Sequence, residues 1–119
     1  MSDVDDFGGS VYRQARLLFE QGRIGEALPL FAESARAHPH YKSYELLGDC
    51  LLREGRAAEA VLPLAAACAL NRGARPRVLL ARAFLQIARV DDARFWLAAA
   101  LEHHPGYGPA VDALRQLPV

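Results

Sequence analysis

The 119-residue sequence contains no threonine, one asparagine (Asn71), one lysine (Lys42) and one tryptophan (Trp96). Without threonine, the β-branched residues reduce to a few valines and the isoleucines Ile24 and Ile87, too few to furnish the faces of a sheet. A surplus of charge is missing too. Fourteen basic residues balance fourteen acidic ones, so the chain lacks the overall basic field with which nucleic-acid binders neutralise phosphates. The longest apolar run, AVLPLAAACAL at residues 60–70, carries Pro63 and falls short of the roughly 20 residues that cross a bilayer, so no membrane span is expected. The start, MSDVDDFGG, is acidic where a secretory leader is basic, and no apolar stretch follows it. Cysteine is scarce. Cys50 and Cys68 have no CxxC partner and no histidine at metal-ligand spacing, so they read as small buried hydrophobes in a reducing compartment. A cytoplasmic location is the expectation.

Catalytic signatures are equally absent. Ser10, Ser34 and Ser43 stand in no nucleophile motif, and no glycine-rich loop could cradle a phosphate. Asp91 and Asp92 open a helix, where acidic side chains suit the helix dipole without any catalytic task. His38, His40, His103 and His104 are expected at the ends of second helices, and their spacing gives no sign of a metal site. The expectation is a non-enzyme with no cofactor and no metal.

What the sequence does have is an abundance of alanine and leucine, and repetition. Alanine and leucine are strong helix formers, which makes the chain all-α. GRIGEALPLF at positions 22–31 returns as GRAAEAVLPL at 55–64 and more loosely as ARVDDARFWL at 88–97, each time at the same interval. At that offset Ala27, Ala60 and Ala93 align, as do Phe31, Leu64 and Leu97, then Ser34, Ala67 and Ala100. Upstream, Ala15, Gly48 and Ala81 form one column, and Leu18, Leu51 and Phe84 another. Within each unit the apolar residues step by three or four, giving two helical stripes separated by Gln21-Gly22-Arg23, Glu54-Gly55-Arg56 and Ile87-Ala88-Arg89. Each unit is then a helical hairpin.

The helix breakers fall where that reading needs them. Pro39 and Pro105 stop second helices, Asn71 and Gly73 do so in the middle unit, and Pro76 and Pro109 suit the first turns of the helices that follow. Pro29 and Pro63 lie about one turn inside second helices, where proline is tolerated near an N-terminus. Glycine at position 48, inside a helix, costs about 1 kcal/mol relative to alanine and predicts the close approach of another backbone.

Tyr44, Leu47-Gly48, Leu51, Ala60, Leu64 and Ala67 of the middle unit resemble the tetratricopeptide repeat, with Arg72 in place of its final proline. The first unit matches through Ala15, Leu18, Gly22, Ala27, Phe31 and Pro39, and the third through Leu80-Ala81, Phe84, Ala93, Leu97, Ala100 and Pro105. Each unit is one residue short of the family's usual length. The resemblance implies a right-handed α-α superhelix of about seven antiparallel helices. It predicts an acidic, flexible segment at 1–7 and one domain at 8–117, with repeats at 8–40, 41–73 and 74–106 and a capping helix at 107–117. In that cap Val111 and Leu114 would face inward, and Asp112, Arg115 and Gln116 outward.

In this family first helices line a concave face that binds peptides, which implies a protein-interaction module: an adaptor, assembly factor or chaperone. The corresponding columns here place Arg16, Asp49, Arg82 and Arg115 in one row and Tyr12, Glu45, Val78 and Val111 in a second. Lys42 with Arg75, and Phe19 with Leu52 and Leu85, flank them, and Arg53 adds a further cation. Basic groups outnumber acidic ones, so a partner of acidic character is expected, while Arg16 with Glu20 and Asp49 with Arg53 are also spaced as ordinary surface pairs. One subset of the family grips a C-terminal carboxylate with lysine and asparagine. The matching places hold Tyr12, Arg16, Leu46, Arg75 and Leu79, so that clamp is not expected here.

Phe95 and Trp96 are neighbours about 100° apart on one helix, so a single neighbour does not bury both. Either one marks an interface patch, through which the protein would self-associate as a scaffold, or they pack against the capping helix.

Overall fold

A computed structural model describes residues 9–118; the expected acidic segment at 1–7 lies outside them. Seven helices follow in order: α1 (Ser10–Glu20), α2 (Ile24–Ala37), α3 (Tyr41–Arg53), α4 (Ala57–Leu70), α5 (Ala74–Gln86), α6 (Val90–His103) and α7 (Gly108–Gln116). No strand occurs among the described residues. Each helix packs on its neighbours in sequence, so three hairpins and a closing helix stack into a right-handed solenoid 49 × 27 × 22 Å in extent.

The hairpin turns are built alike. Gly22 and Gly55 adopt left-handed φ values of 79° and 75°, and the next amide donates back to the carbonyl five residues earlier, Arg23 to Leu18 (2.9 Å) and Arg56 to Leu51 (2.8 Å). That pattern satisfies carbonyls a helix end would leave bare. The third turn makes the same bond, Arg89 to Phe84 at 2.8 Å, but places Ala88 at φ 64°, a conformation strained for any residue with a β-carbon. Across each turn an arginine clips the acid three residues ahead: Arg23 to Glu26 (2.7 Å), Arg56 to Glu59 (2.7 Å) and Arg89 to Asp92 (2.6 Å). The guanidinium beside them holds the Glu26 and Glu59 carboxyls below their usual range.

Pro29 and Pro63 lie deeper than expected, as the sixth residue of α2 and the seventh of α4. The carbonyls that lose a donor belong to Gly25 and Glu59, both exposed, so water can replace the missing bond.

The aligned columns are the core. Phe31, Leu64 and Leu97 are wholly buried, with Ala27, Ala60 and Ala93 beside them and Ala15 and Ala81 facing them. A β-carbon on Gly48 would fall inside the side chain of Leu64. The group that requires glycine is therefore a leucine side chain, and the expectation of an approaching backbone is corrected. Apolar burial at this density, at about 25 cal/mol per Å², is what holds each hairpin to the next.

On the second helices one buried column breaks the apolar rule. Ser34 stands where Ala67 and Ala100 stand in later units, and its hydroxyl meets that of Ser43 at 3.1 Å across the first seam. Ser43 in turn meets Nε2 of His40 at 3.0 Å, while Nδ1 of the same ring accepts the amides of Lys42 (2.9 Å) and Ser43 (3.4 Å), so His40 caps the start of α3 and not, as expected, the end of a second helix. Capping of this kind is worth about 1 kcal/mol. Cys50 and Cys68 are free and buried, and burial pushes their thiols up to about 12 and about 11.

Candidate functional site

First helices approach one another along one side of the solenoid, α3 against α5 and α5 against α7, while no pair of second helices comes as close. The first helices therefore line the inner curve. On this side the structure gathers most of the residues expected there, but assigns them different tasks.

Glu45 and Asp49 are buried, at 2% and 4% exposure, although both are charged. Arg75 covers them from the next hairpin, donating Nη1 to Glu45 and Nη2 to Asp49 (2.9 Å). Lys42 adds Nζ to Glu45 at 3.3 Å, and Arg53 adds Nε to Asp49 at 2.9 Å. Burial pulls the Arg75 guanidinium down, yet the Asp49 hydrogen bond and the two negative charges outweigh it, and its pKa is raised. Carboxylates this far from water persist only with such partners. Arg53 also lies over the ring of Phe19, 4.8 Å from its centroid, which ties α1 to α3 as Arg75 ties α3 to α5.

Tyr12 belongs to the core more than to the groove. At 4% exposure its ring lies edge-on to Phe31 (6.0 Å) and His40 (5.6 Å), and burial raises its phenol. Arg16, half-buried, reaches the Tyr12 hydroxyl at 3.3 Å and Glu20 at 3.1 Å. Val78 is buried, whereas Leu52 and Leu85 are half-buried along the inner face.

Arg82 differs from all of these. It is exposed, has no side-chain partner among the described residues, and forms a shared wall of three hollows along the inner face. One hollow of about 230 Å³ lies toward Asp49, Leu52 and Arg53. A second, about 220 Å³, lies between Arg75, Val78 and Tyr107. The third, about 550 Å³, runs from Arg82 and Leu85 to Pro109, Asp112 and Gln116 of α7.

The last hollow corrects the expected cap. The link before α7, residues 104–107, is one residue longer than residues 38–40 and 71–73. The equivalence between α5 and α7 therefore shifts from 33 to 34, and one residue turns a helix by about 100°. Asp112 and Gln116 take the inner positions that Val111 and Arg115 were expected to hold. Arg115 is exposed without a partner among the described residues, and Val111 is half-buried outside the core. The cap packs through Ala110, Ala113, Leu114 and Leu117. The signal was present in the length of the link, masked because Pro109 aligns with Pro76 at the spacing of the repeat.

On the second helices Phe95 is 63% exposed, while Trp96 packs between the two C-terminal clusters of the core; their rings meet at 5.4 Å. No helix among the described residues is long and apolar enough to cross a membrane.

The family model described as tetratricopeptide repeat matches residues 12–76, and a second model of the same description matches residues 51–117. No curated protein matches the sequence. Among solved structures, the first tetratricopeptide domain of Spaghetti (RPAP3), bound to the HSP90 peptide SRMEEVD, superposes with a TM-score of 0.84 at 21% identity, over 89% of this chain and 86% of that one. The first such domain of human RPAP3 gives 0.81 at 21% identity, over 89% and 85%. The Yersinia enterocolitica type III secretion chaperone SycD, in complex with a peptide of the translocator YopD, gives 0.81 at 17% identity, over 98% and 88%. At such identities the likeness is one of fold. Three hairpins in a common register, a closing helix and two family matches that each span more than half of the sequence place this chain in the tetratricopeptide repeat family.

Proposed function

We propose that this protein is a non-catalytic interaction module that holds a segment of a partner polypeptide, acidic in character, along its inner face. The observation that carries the reading is the series of hollows that meet at Arg82, a cation unpaired among the described residues while its neighbours are tied to buried carboxylates. Two proteins of the same fold have been solved with peptides, which supports the class of ligand and leaves its identity to be found. An adaptor, assembly factor or chaperone of the cytoplasm is the role in which such a module works.

Capture from native lysate tests the idea when wild type and Arg82→Glu are compared by quantitative mass spectrometry. The expected result is one protein recovered by the wild type and lost by a variant of unchanged helicity. Recovery of the same set by both would remove the inner face from consideration.

A second reading has its own observation. Leu62 and Phe95, one repeat apart and 78% and 63% exposed, occupy one register position on successive second helices, an apolar pair on the outer side. Self-association through that pair is the alternative. Light scattering on dilution would show a mass above that of one chain, reduced by Phe95→Ser, and a strict monomer would sink it.

A further inference from the structure

The closing helix of a solenoid needs only to cover the last apolar face, and Ala110, Ala113, Leu114 and Leu117 do that here. The adjoining edge of α7 does something else. Its Pro109, Asp112 and Gln116 stand across from Arg82 and Leu85 and flank an open hollow of about 550 Å³, within the range of about 300 to 1,000 Å³ typical of ligand sites. The C-terminal wall is tethered as well as packed: Arg94 of α6 donates Nη2 to the carbonyl of Pro118, which also lines the hollow.

Charge along the inner face narrows what fits. Glu45 and Asp49 engage Lys42, Arg53 and Arg75, and Glu20 engages Arg16, which leaves Arg82 as the cation of this face without a protein partner among the described residues. An exposed guanidinium beside an apolar recess suits a carboxylate held by two parallel hydrogen bonds next to a side chain that leaves water. The far rim carries the opposite charge. Asp112 would repel a second acidic residue on that side and accept an amide, hydroxyl or ammonium donor instead.

Resting on the groove reading above, we infer that α7 is one wall of the binding site, and that this end of the groove takes an extended segment with one acidic residue beside a large apolar one. The acidic side chain engages Arg82. The apolar one enters the hollow between Leu85 and the Ala113–Leu117 edge of α7. Asp112 sets the polarity of the segment by disfavouring acidic residues beyond the apolar position.

A displayed library of random peptides, selected on the full chain, tests this directly. The expected outcome is enrichment of an acidic residue adjacent to a large apolar one. The selected peptide, made synthetically and labelled, should bind Arg82→Gln about tenfold to a hundredfold more weakly, because a charge-assisted hydrogen bond is lost. Among the described residues Arg82 has no side-chain partner to lose, so the variant should melt with the wild type, and circular dichroism checks that. Selection on Asp112→Asn should newly admit a second acidic residue. Peptides without an acidic residue, or equal binding to Arg82→Gln, would overturn the assignment of this end while leaving a peptide groove standing. No enrichment at all would overturn both.

Discussion

The side chain of Leu64 on α4 fills the space that a β-carbon on Gly48 of α3 would occupy. Gly48→Ala gains about 1 kcal/mol of helix propensity but must displace a wholly buried leucine, and overpacking of that kind costs about 1 to 3 kcal/mol. The variant should be less stable by about 1 kcal/mol, read as a lower urea midpoint. A higher midpoint would mean that Leu64 moves aside freely, which its burial argues against.

Ala88 predicts the opposite sign. It holds a φ of 64° in the turn where the other hairpins place Gly22 and Gly55. Left-handed backbone costs a residue with a β-carbon about 1 to 2 kcal/mol, against which glycine's greater freedom in the unfolded chain takes back a part. Ala88→Gly should raise stability by about 0.5 to 1 kcal/mol, and thermal melting detects a shift of that size.

Arg75 and Arg82 sit two turns apart on the same face of α5, yet their loss should differ. Arg75→Ala strips partners from two carboxylates that have almost no contact with water. Breaking a buried pair costs about 3 to 5 kcal/mol, reduced here to about 2 to 3 because Arg75 itself is half in solvent. Arg82→Ala should change stability by less than about 0.5 kcal/mol, as surface substitutions do. Chemical denaturation of the two variants side by side makes the comparison, and equal losses would contradict the pairing described.

The two thiols set a dependence on pH. Burial raises Cys50 from its ordinary 9.0 to about 12 and Cys68 to about 11, so the unfolded chain releases both protons before the folded one. Stability from this source is intact below about pH 8.5 and falls as pH climbs through 9 to 11, where the unfolded state alone ionises. Tyr12, raised by burial, adds to the same slope from pH 10 upward. Near pH 8 a thiol reagent should label neither cysteine until denaturant is added. Rapid labelling of the native protein would show that these helices open locally.

The fold could be read from the sequence because its core is written in columns. Ala27, Phe31 and Ala15 have counterparts in each later repeat, and all of them are buried in the folded chain. The inner face was harder. The i,i+4 spacing of Asp49 and Arg53 suggested surface decoration, and nothing local to Glu45 or Asp49 announces that Arg75, on a later hairpin, will cover both. Tyr12 shares a column with Glu45, and that column predicted position without predicting depth. The shift at α7 shows why counting residues fails at a boundary. One extra residue in the link rotates the whole helix, exchanging Arg115 for Gln116 and Val111 for Asp112 on the side that faces Arg82. For Phe95 and Trp96 the angle between neighbours predicted that they would part, but which ring would be covered depended on the packing of α5 and α6.

A chain made of near-copies can assemble in the wrong order, with one hairpin docking where another belongs. The hydroxyl pair of Ser34 and Ser43 distinguishes the first seam from the second. At the second seam the same two places hold Ala67 and Pro76. The first hairpin, misdocked on α5, would set the Ser34 hydroxyl opposite a proline ring and forfeit its bond to Ser43, a loss of about 0.5 to 1.5 kcal/mol. Ser43 would keep its contact with His40 but face an alanine methyl across the seam if the second hairpin were displaced in the same way. The seams are alike enough to stack and differ by one hydroxyl pair, so the correct order is favoured over the exchange by about the worth of one hydrogen bond.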